Sequence, residues 1–289
     1  MKTLTLEAFS NSVGLRPEKR GQVELSINSD INRPLHKTLV SHVIPQLLGA
    51  AVRSYDKQPF NAGHSVALGQ ACISANAGEA ETLVKSLLSQ GFDIESLYLD
   101  AIPEAARLFH DWWNADEIDF ISVTQGIFRL EELVYSLSAE FVMGGNQQLP
   151  GSQLNALLVK PPGAHHSLGL LILSQYFRRY GWQVISANQF TLDDLLGAVR
   201  SEWVDVVGLS LSEDKQVPEM KKTIVRLRQQ SSNPQLRVMV GGPLLRFRDD
   251  LAVLLGADFA CLHADQAQAT ALQQVKKLTT LSSVKVARR

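Results

Sequence analysis

The ten residues Lys160–Gly169, KPPGAHHSLG, carry two adjacent histidines, His165 and His166, between one apolar run and the next. A neutral imidazole is a common transition-metal ligand and titrates near neutral pH, so the pair suggests a metal or a metallo-cofactor. The run before it, Leu154–Val159, is short and largely apolar, and the run after it, Leu170–Tyr180, has apolar residues at helical spacing. Strand, loop, helix is the reading that follows, and it puts the histidines at the carboxyl end of a first strand, where open α/β sheets hold ligands. Taken alone, either histidine reads as a solvated loop residue; its surroundings decide whether it is more.

Those surroundings repeat. Strand-like runs recur at Gln183–Ser186, Val204–Leu209, Leu236–Val240 and Phe259–Leu262. Amphipathic helical patterns alternate with them at Leu168–Tyr180, Leu192–Glu202, Val217–Gln229, Leu244–Leu255 and Ala264–Leu278. Such alternation predicts a parallel sheet with right-handed crossovers, a flavodoxin-like doubly wound domain of strand order 2-1-3-4-5. Its crevice lies at the carboxyl ends of the first and third strands, so the loops that matter are Pro161–Gly169 and Ser210–Gln216. The third strand ends in Gly208, Leu209, Ser210, Leu211, Ser212, and the fourth in Gly241 and Gly242. Paired glycines there either leave room for a ligand or form a tight turn.

The first half of the chain has another period. Residues 1–34 mix Asn, Ser, Arg and Glu without sustained periodicity and read as an extension. Residues 35–143 read as helical, with Leu39, His42, Val43, Leu47 and Leu48 on one face, Pro45 as a kink and Pro103 as a helix start. The longest helical run, Glu117–Met143, repeats Phe120, Val123, Ile127, Leu130, Leu133, Val134 and Leu137, and Gly126 within it implies a kink or close packing. Short connections make a four-helix-bundle cap the natural arrangement. Residues 144–152 form a linker, 153–279 the α/β domain and 280–289 a tail. Adjacent Trp112 and Trp113 point to different sides of their helix, so one packs inward and the other is free to line a site.

Composition removes several classes of function. With 28 basic against 29 acidic residues there is no global field to draw in nucleic acid or membrane, and no helix-turn-helix spacing supports direct DNA binding. The apolar runs are far shorter than the roughly 20 residues of a spanning helix, and the N-terminus lacks a signal peptide's apolar region, so a cytoplasmic protein is expected. Two cysteines, Cys72 and Cys261, are too few for a zinc cluster and read as small core residues.

The residues at the strand ends resemble the cobalamin-binding domain, whose pattern is Asp-x-His-x-x-Gly, then Ser-x-Leu, then Gly-Gly. Here these are His166 with Gly169, then Ser210 to Ser212, then Gly241 and Gly242. Ala164 stands where the family has Asp, and Ser212 where it has Leu. The resemblance runs from Leu154 to Val275 and includes Gly256–Asp258 before the last strand. In the helical half, Trp113, Asp116, Phe120, Val123, Thr124, Gly126, Arg129 and Leu130 resemble the cap of AerR and PpaA type regulators from photosynthetic bacteria.

The resemblance implies cobalamin with His166 as lower axial ligand to cobalt, the nucleotide tail beside Gly169, Ser210, Ser212, Gly241 and Gly242, and Trp112 or Trp113 over the upper face. It further implies a repressor of the PpsR or CrtJ type as partner and a light- or redox-responsive regulatory role rather than catalysis. A carboxylate two residues before the ligand would accept the imidazole proton and raise its basicity; Ala164 removes it, which favours sensing over methyl transfer. The Glu-His pair that follows the cap Trp in adenosylcobalamin sensors is replaced by Val123 and Thr124, which points to hydroxo- or aquo-cobalamin before adenosylcobalamin. A related domain in AppA binds heme, so heme remains an alternative ligand, with His64, His110 or His165 as possible second axial contacts. A corrinoid carrier for methyl transfer, and a module that retains only the fold, are the alternative functions.

Overall fold

Asn61 opens the first described helix with a reciprocal cap: its side chain accepts from His64 N while its own N–H donates to His64 Nδ1. The computed structural model describes residues 57–145, 153–160, 167–187 and 191–286. The extension 1–34, the helical pattern around Leu39–Leu48 and Pro45 lie outside the described residues. Helix α1 spans Ala62–Ile73 and α2 Glu79–Ser89. Helix α3 runs on through three pieces, Ile94–Ser96, a π turn Leu97–Ala101, and Ile102–Asn114. Pro103 therefore lies within a continuing helix. It has no N–H and its ring crowds the carbonyl four residues back, and the wide turn, in which Ile102 N donates to Leu97 O, absorbs that mismatch.

The longest helical run breaks at Leu137 into α4 (Phe120–Ser136) and α5 (Ser138–Met143). Asp119 caps α4 by accepting from Ser122 N. Leu130, Leu133, Val134 and Leu137 are buried and Val123 and Ile127 partly so, but Phe120, the helix's first residue, is 68% exposed. The helical core also holds Tyr98 stacked on Phe141, with ring centroids 3.9 Å apart, and the Tyr98 hydroxyl donates to Val134 O at 2.9 Å. Buried Arg129 donates to the carbonyls of Cys72 (2.9 Å) and Ser74 (2.6 Å), satisfying orphan acceptors at the end of α1.

The α/β region follows as β1 (Asn155–Val159), α6 (Leu168–Arg179), β2 (Gln183–Ala187), α7 (Leu192–Ser201), β3 (Val206–Ser210), α8 (Val217–Gln230), β4 (Arg237–Gly241), α9 (Leu251–Leu255), β5 (Phe259–Ala260) and α10 (Ala264–Val286). The five strands are parallel in the order β2-β1-β3-β4-β5, the doubly wound order that the alternation predicts. The helix expected over Leu244–Leu255 is two short pieces, a 3-10 turn Pro243–Arg246 and α9. Between them Arg248 bridges Asp214 and Asp250 and holds the chain in a turn. Helix α10 continues to Val286, into the expected tail.

Alternation along the strands divides the core. Leu157, Val159, Val207, Leu209, Val238 and Val240 cluster with the apolar faces of α7, α8 and α9. Ala156, Leu158, Val206, Met239 and Phe259 cluster with α6 and α10. Helix α6 is two-sided: Leu170 and Phe177 face the sheet, whereas Leu168, Ile172 and Tyr176 enter the helical core. The helical region thus rests on α6, and residues from Lys57 onward form one unit. Arg179 reinforces the contact, donating to Phe141 O, pairing with Glu95 at 3.3 Å and lying 4.6 Å over the Phe141 ring. Among the described residues no helix is long and apolar enough to cross a membrane.

Candidate functional site

The carboxyl ends of β3 and β4 are sewn together by their backbones. Ser210 pairs with Gly241, Leu211 N donates to Gly241 O at 2.8 Å, and Leu244 N donates to Leu211 O at 3.2 Å. Gly242 has a φ of 97°, and a Cβ there would stand 2.3 Å from Leu211 O and 2.7 Å from Ser210 Oγ. Only glycine fits, so the turn by itself requires Gly242. A Cβ at Gly241 would lie 3.2 Å from Cys261 O, a tight but less exclusive contact. The outcome is a ledge without side chains at the carboxyl ends of two interior strands, with the Ser210 hydroxyl against it.

Period-two alternation puts Gly208, Ser210 and Gly241 on the α6 and α10 face of the sheet, with Val206 and Met239. A Cβ at Gly208 would lie 2.6 Å from Leu158 Cδ2 and 2.9 Å from Met239 Cε, so those two side chains fill the space over the glycine. Both are flexible at their tips, and a ligand tail entering from Ser210 would have to displace them. A cavity of about 300 Å³ lined by Val159, Lys160, Leu195, Leu209 and Met220 lies on the other face and shares none of the predicted residues.

Ser212 is committed locally. The Gln216 side-chain oxygen accepts from Ser212 N at 2.9 Å and Glu213 N at 3.1 Å, and the Ser212 hydroxyl stands 3.5 Å from it. The motif pattern passes over Gln216; the signal for it is a capping box, Glu213 with Gln216 three positions on.

At the end of β1, Val159 is buried and Lys160 half-buried. Ala164, His165 and His166 lie outside the described residues. Ser167, immediately after them, donates its hydroxyl to the Glu131 carboxylate on α4. Gly169, in the first turn of α6, is exposed, and among the described residues nothing outside its chain neighbours and its own helix backbone lies within 4 Å of where a Cβ would be.

On the helical side the two tryptophans divide as their adjacency requires. Trp112 is half-buried against Gly69 and Phe109, its ring centroid 5.9 Å from that of Phe109. Trp113 is 46% exposed and lines an open cleft of about 650 Å³ with Asp116, Glu117, Asp119 and Phe120. Asp116 turns the chain there with a φ of 57°, and hydrogen bonds from Ser122 hold the Asp119 carboxyl below its ordinary range. Along α4, Ile121, Phe128 and Tyr135 recur every seventh residue and are all exposed, an apolar stripe unrelated to the helical core.

Two histidines considered as axial contacts are occupied in other ways. His64 belongs to the α1 cap and sits edge-on between Phe60 and Phe92. Exposed His110 shares a 2.9 Å hydrogen bond with Asn114. Among the described residues no group of three or more His, Cys, Asp or Glu is placed to hold a metal ion. The described residues instead fit a metal that brings its own macrocycle, with a ledge for a tail and exposed apolar rings for a flat face. The thiols add nothing reactive. Burial, opposed by Arg129, pushes Cys72 up to about 12, and burial also raises Cys261.

A family model described as the B12 binding domain matches residues 154–272, close to the span of the resemblance in the strand-end motifs. A 20.5 kDa protein in the bchF-crtJ intergenic region of Rhodobacter capsulatus is 30% identical over 165 residues, which are 57% of this chain and 84% of that one. Among solved structures, a monomethylamine corrinoid protein of Methanosarcina barkeri superposes with a TM-score of 0.59 at 17% identity, over 71% of this chain and 95% of its own. That likeness is one of fold. The chain carries a B12 binding domain over residues 154–272 and belongs to one family with the Rhodobacter capsulatus protein.

Proposed function

We propose that the protein binds cobalamin and acts as a light- or redox-responsive regulatory partner of a transcriptional repressor of the PpsR or CrtJ type. The observation that carries this reading is the joining of a B12 binding domain to a relative named for its place beside crtJ. The geometry supports it: Ser210, Gly241 and Gly242 form a bare ledge on one face of the sheet, and Trp113 and Phe128 are exposed on the helical side.

In this reading His166 is the metal ligand, the ledge with Gly169 receives the nucleotide tail, and Trp113, with Trp112 behind it, covers the upper face. Bound cobalamin would supply a cobalt whose upper ligand exchanges with light or redox state. The chain's part is to hold that group between the α/β domain and the helical region and to shift one against the other when contacts in one state are lost. The protein then works by binding rather than by catalysis.

The test is absorption spectroscopy of purified protein with hydroxocobalamin, adenosylcobalamin or hemin, dark and illuminated, beside His166→Ala. Uptake of hydroxocobalamin with an altered spectrum and weaker binding in the variant is expected. Spectra and affinity identical to the parent for every ligand would remove the axial assignment. Uptake of hemin alone would make the protein a heme sensor, and loss of the methyl group from loaded methylcobalamin to an acceptor in the dark would make it a carrier. Co-elution with a PpsR or CrtJ type repressor only in the loaded state tests the partner.

A further inference from the structure

Ser167 stands at the N-cap of α6, where a serine side chain ordinarily accepts from a first-turn amide. It makes no such bond, and its hydroxyl donates to Glu131 of α4. Glu131 lies three residues after Phe128 and four before Tyr135, hence on the side of α4 that carries the exposed stripe. Leu168, next in the chain, is buried in the helical core. The first turn of α6 is therefore tied to α4 by the Ser167–Glu131 hydrogen bond and seated in the helical core by Leu168, and Ser167 is covalently joined to His166.

We infer that Glu131 is a positioning residue that ties the helical region to the end of the histidine loop, so that displacement of α4 is transmitted to the ligating side chain. The inference rests on the reading of His166 given above. Glu131 touches no ligand itself; it acts through Ser167. A cofactor-dependent movement of the helical region then need not spread through the sheet, because the two parts meet one residue from the ligand.

Four variants test this: Glu131→Ala, Ser167→Ala, the double variant and Glu131→Gln. In ligand-free protein, hydrogen exchange at the Leu171 amide, which donates to Ser167 O at 2.9 Å and closes the first turn, should quicken about tenfold in both alanine variants, as loss of one charge-assisted hydrogen bond implies, and no further in the double variant. Glu131→Gln, whose amide oxygen still accepts from the hydroxyl, should restore slow exchange. With hydroxocobalamin, the alanine variants should release the ligand faster and shift the visible spectrum toward that of His166→Ala. Unchanged exchange in the first turn overturns the tether. A lowered melting temperature with parental spectrum and release rate reduces Glu131 to a structural contact and overturns the coupling alone. A parent that takes up no hydroxocobalamin overturns the functional reading and the coupling with it.

Discussion

The ring of Phe109 on α3 occupies the notch that Gly126 leaves in α4: a Cβ at 126 would lie 2.6 Å from Phe109 Cζ and 2.7 Å from Cε2. Close packing, not a kink, is why a residue that weakens a helix sits in this one. Gly126→Ala should destabilise the protein by about 1–3 kcal/mol despite alanine's better helix propensity, because fully buried Phe109 has nowhere to go. Gly69→Ala meets the Trp112 ring at 2.9 Å, but Trp112 is only half-buried and can give, so the change should cost less than about 1 kcal/mol. Urea denaturation of both variants checks this; equal midpoints would show the notch to be slack.

Asp258 anchors the amino end of β4. Its carboxylate accepts from Val238 N (2.7 Å), Arg228 (2.8 Å) and Arg237 (2.6 Å). Burial pushes its pKa up, but those hydrogen bonds and the two guanidiniums outweigh it and hold the group below the ordinary carboxylate range. The proton is bound less readily in the folded state, so the stabilisation is complete above the usual carboxylate pKa of about 4 and is lost as pH falls through the folded value. Asp258→Asn should cost about 2–3 kcal/mol near neutrality. The gap between variant and parent should close on acidification below about pH 4. A gap independent of pH in denaturation measured across that range would mean that the carboxylate charge is not what holds the strand.

Thiol chemistry follows burial. Cys72 is fully buried with its pKa near 12, and half-buried Cys261 is raised as well. A disulfide reagent at pH 8 should leave Cys72 untouched and label Cys261 more slowly than a free thiol, with both reacting in denaturant. Rapid labelling of Cys72 in the native protein would place it elsewhere than in the core.

The stripe on α4 separates stability from binding. Phe128 is 58% exposed, so Phe128→Ser should change stability by no more than about 0.5 kcal/mol. If the stripe covers the cofactor, the same change should weaken hydroxocobalamin binding severalfold in equilibrium titrations. Unchanged affinity would exclude Phe128 from the site.

Much of this was legible beforehand. The order of strands and helices, the identity of the strand-end residues and the division of the two tryptophans follow from period-two and period-3.6 patterns, which are local and survive in a one-dimensional reading. Phe120 misled because a helix's first residue shares the spacing of the buried face without being covered by a neighbour. Pro103 misled because a π turn can carry a helix into a proline, and nothing in the spacing announces it.

The amino-acid sequence by itself determined the sheet's topology, the family and the loop that carries His166, since each shows in residue types and spacings along the chain. Tertiary structure alone decided that Gly126 receives Phe109, that Ser212 turns to Gln216 while Ser210 stands at the ledge, and that Ser167 reaches Glu131 across 36 residues. Those pairings depend on how separately folded helices pack on the two faces of the sheet, and packing is set by shapes that meet only once the chain is closed.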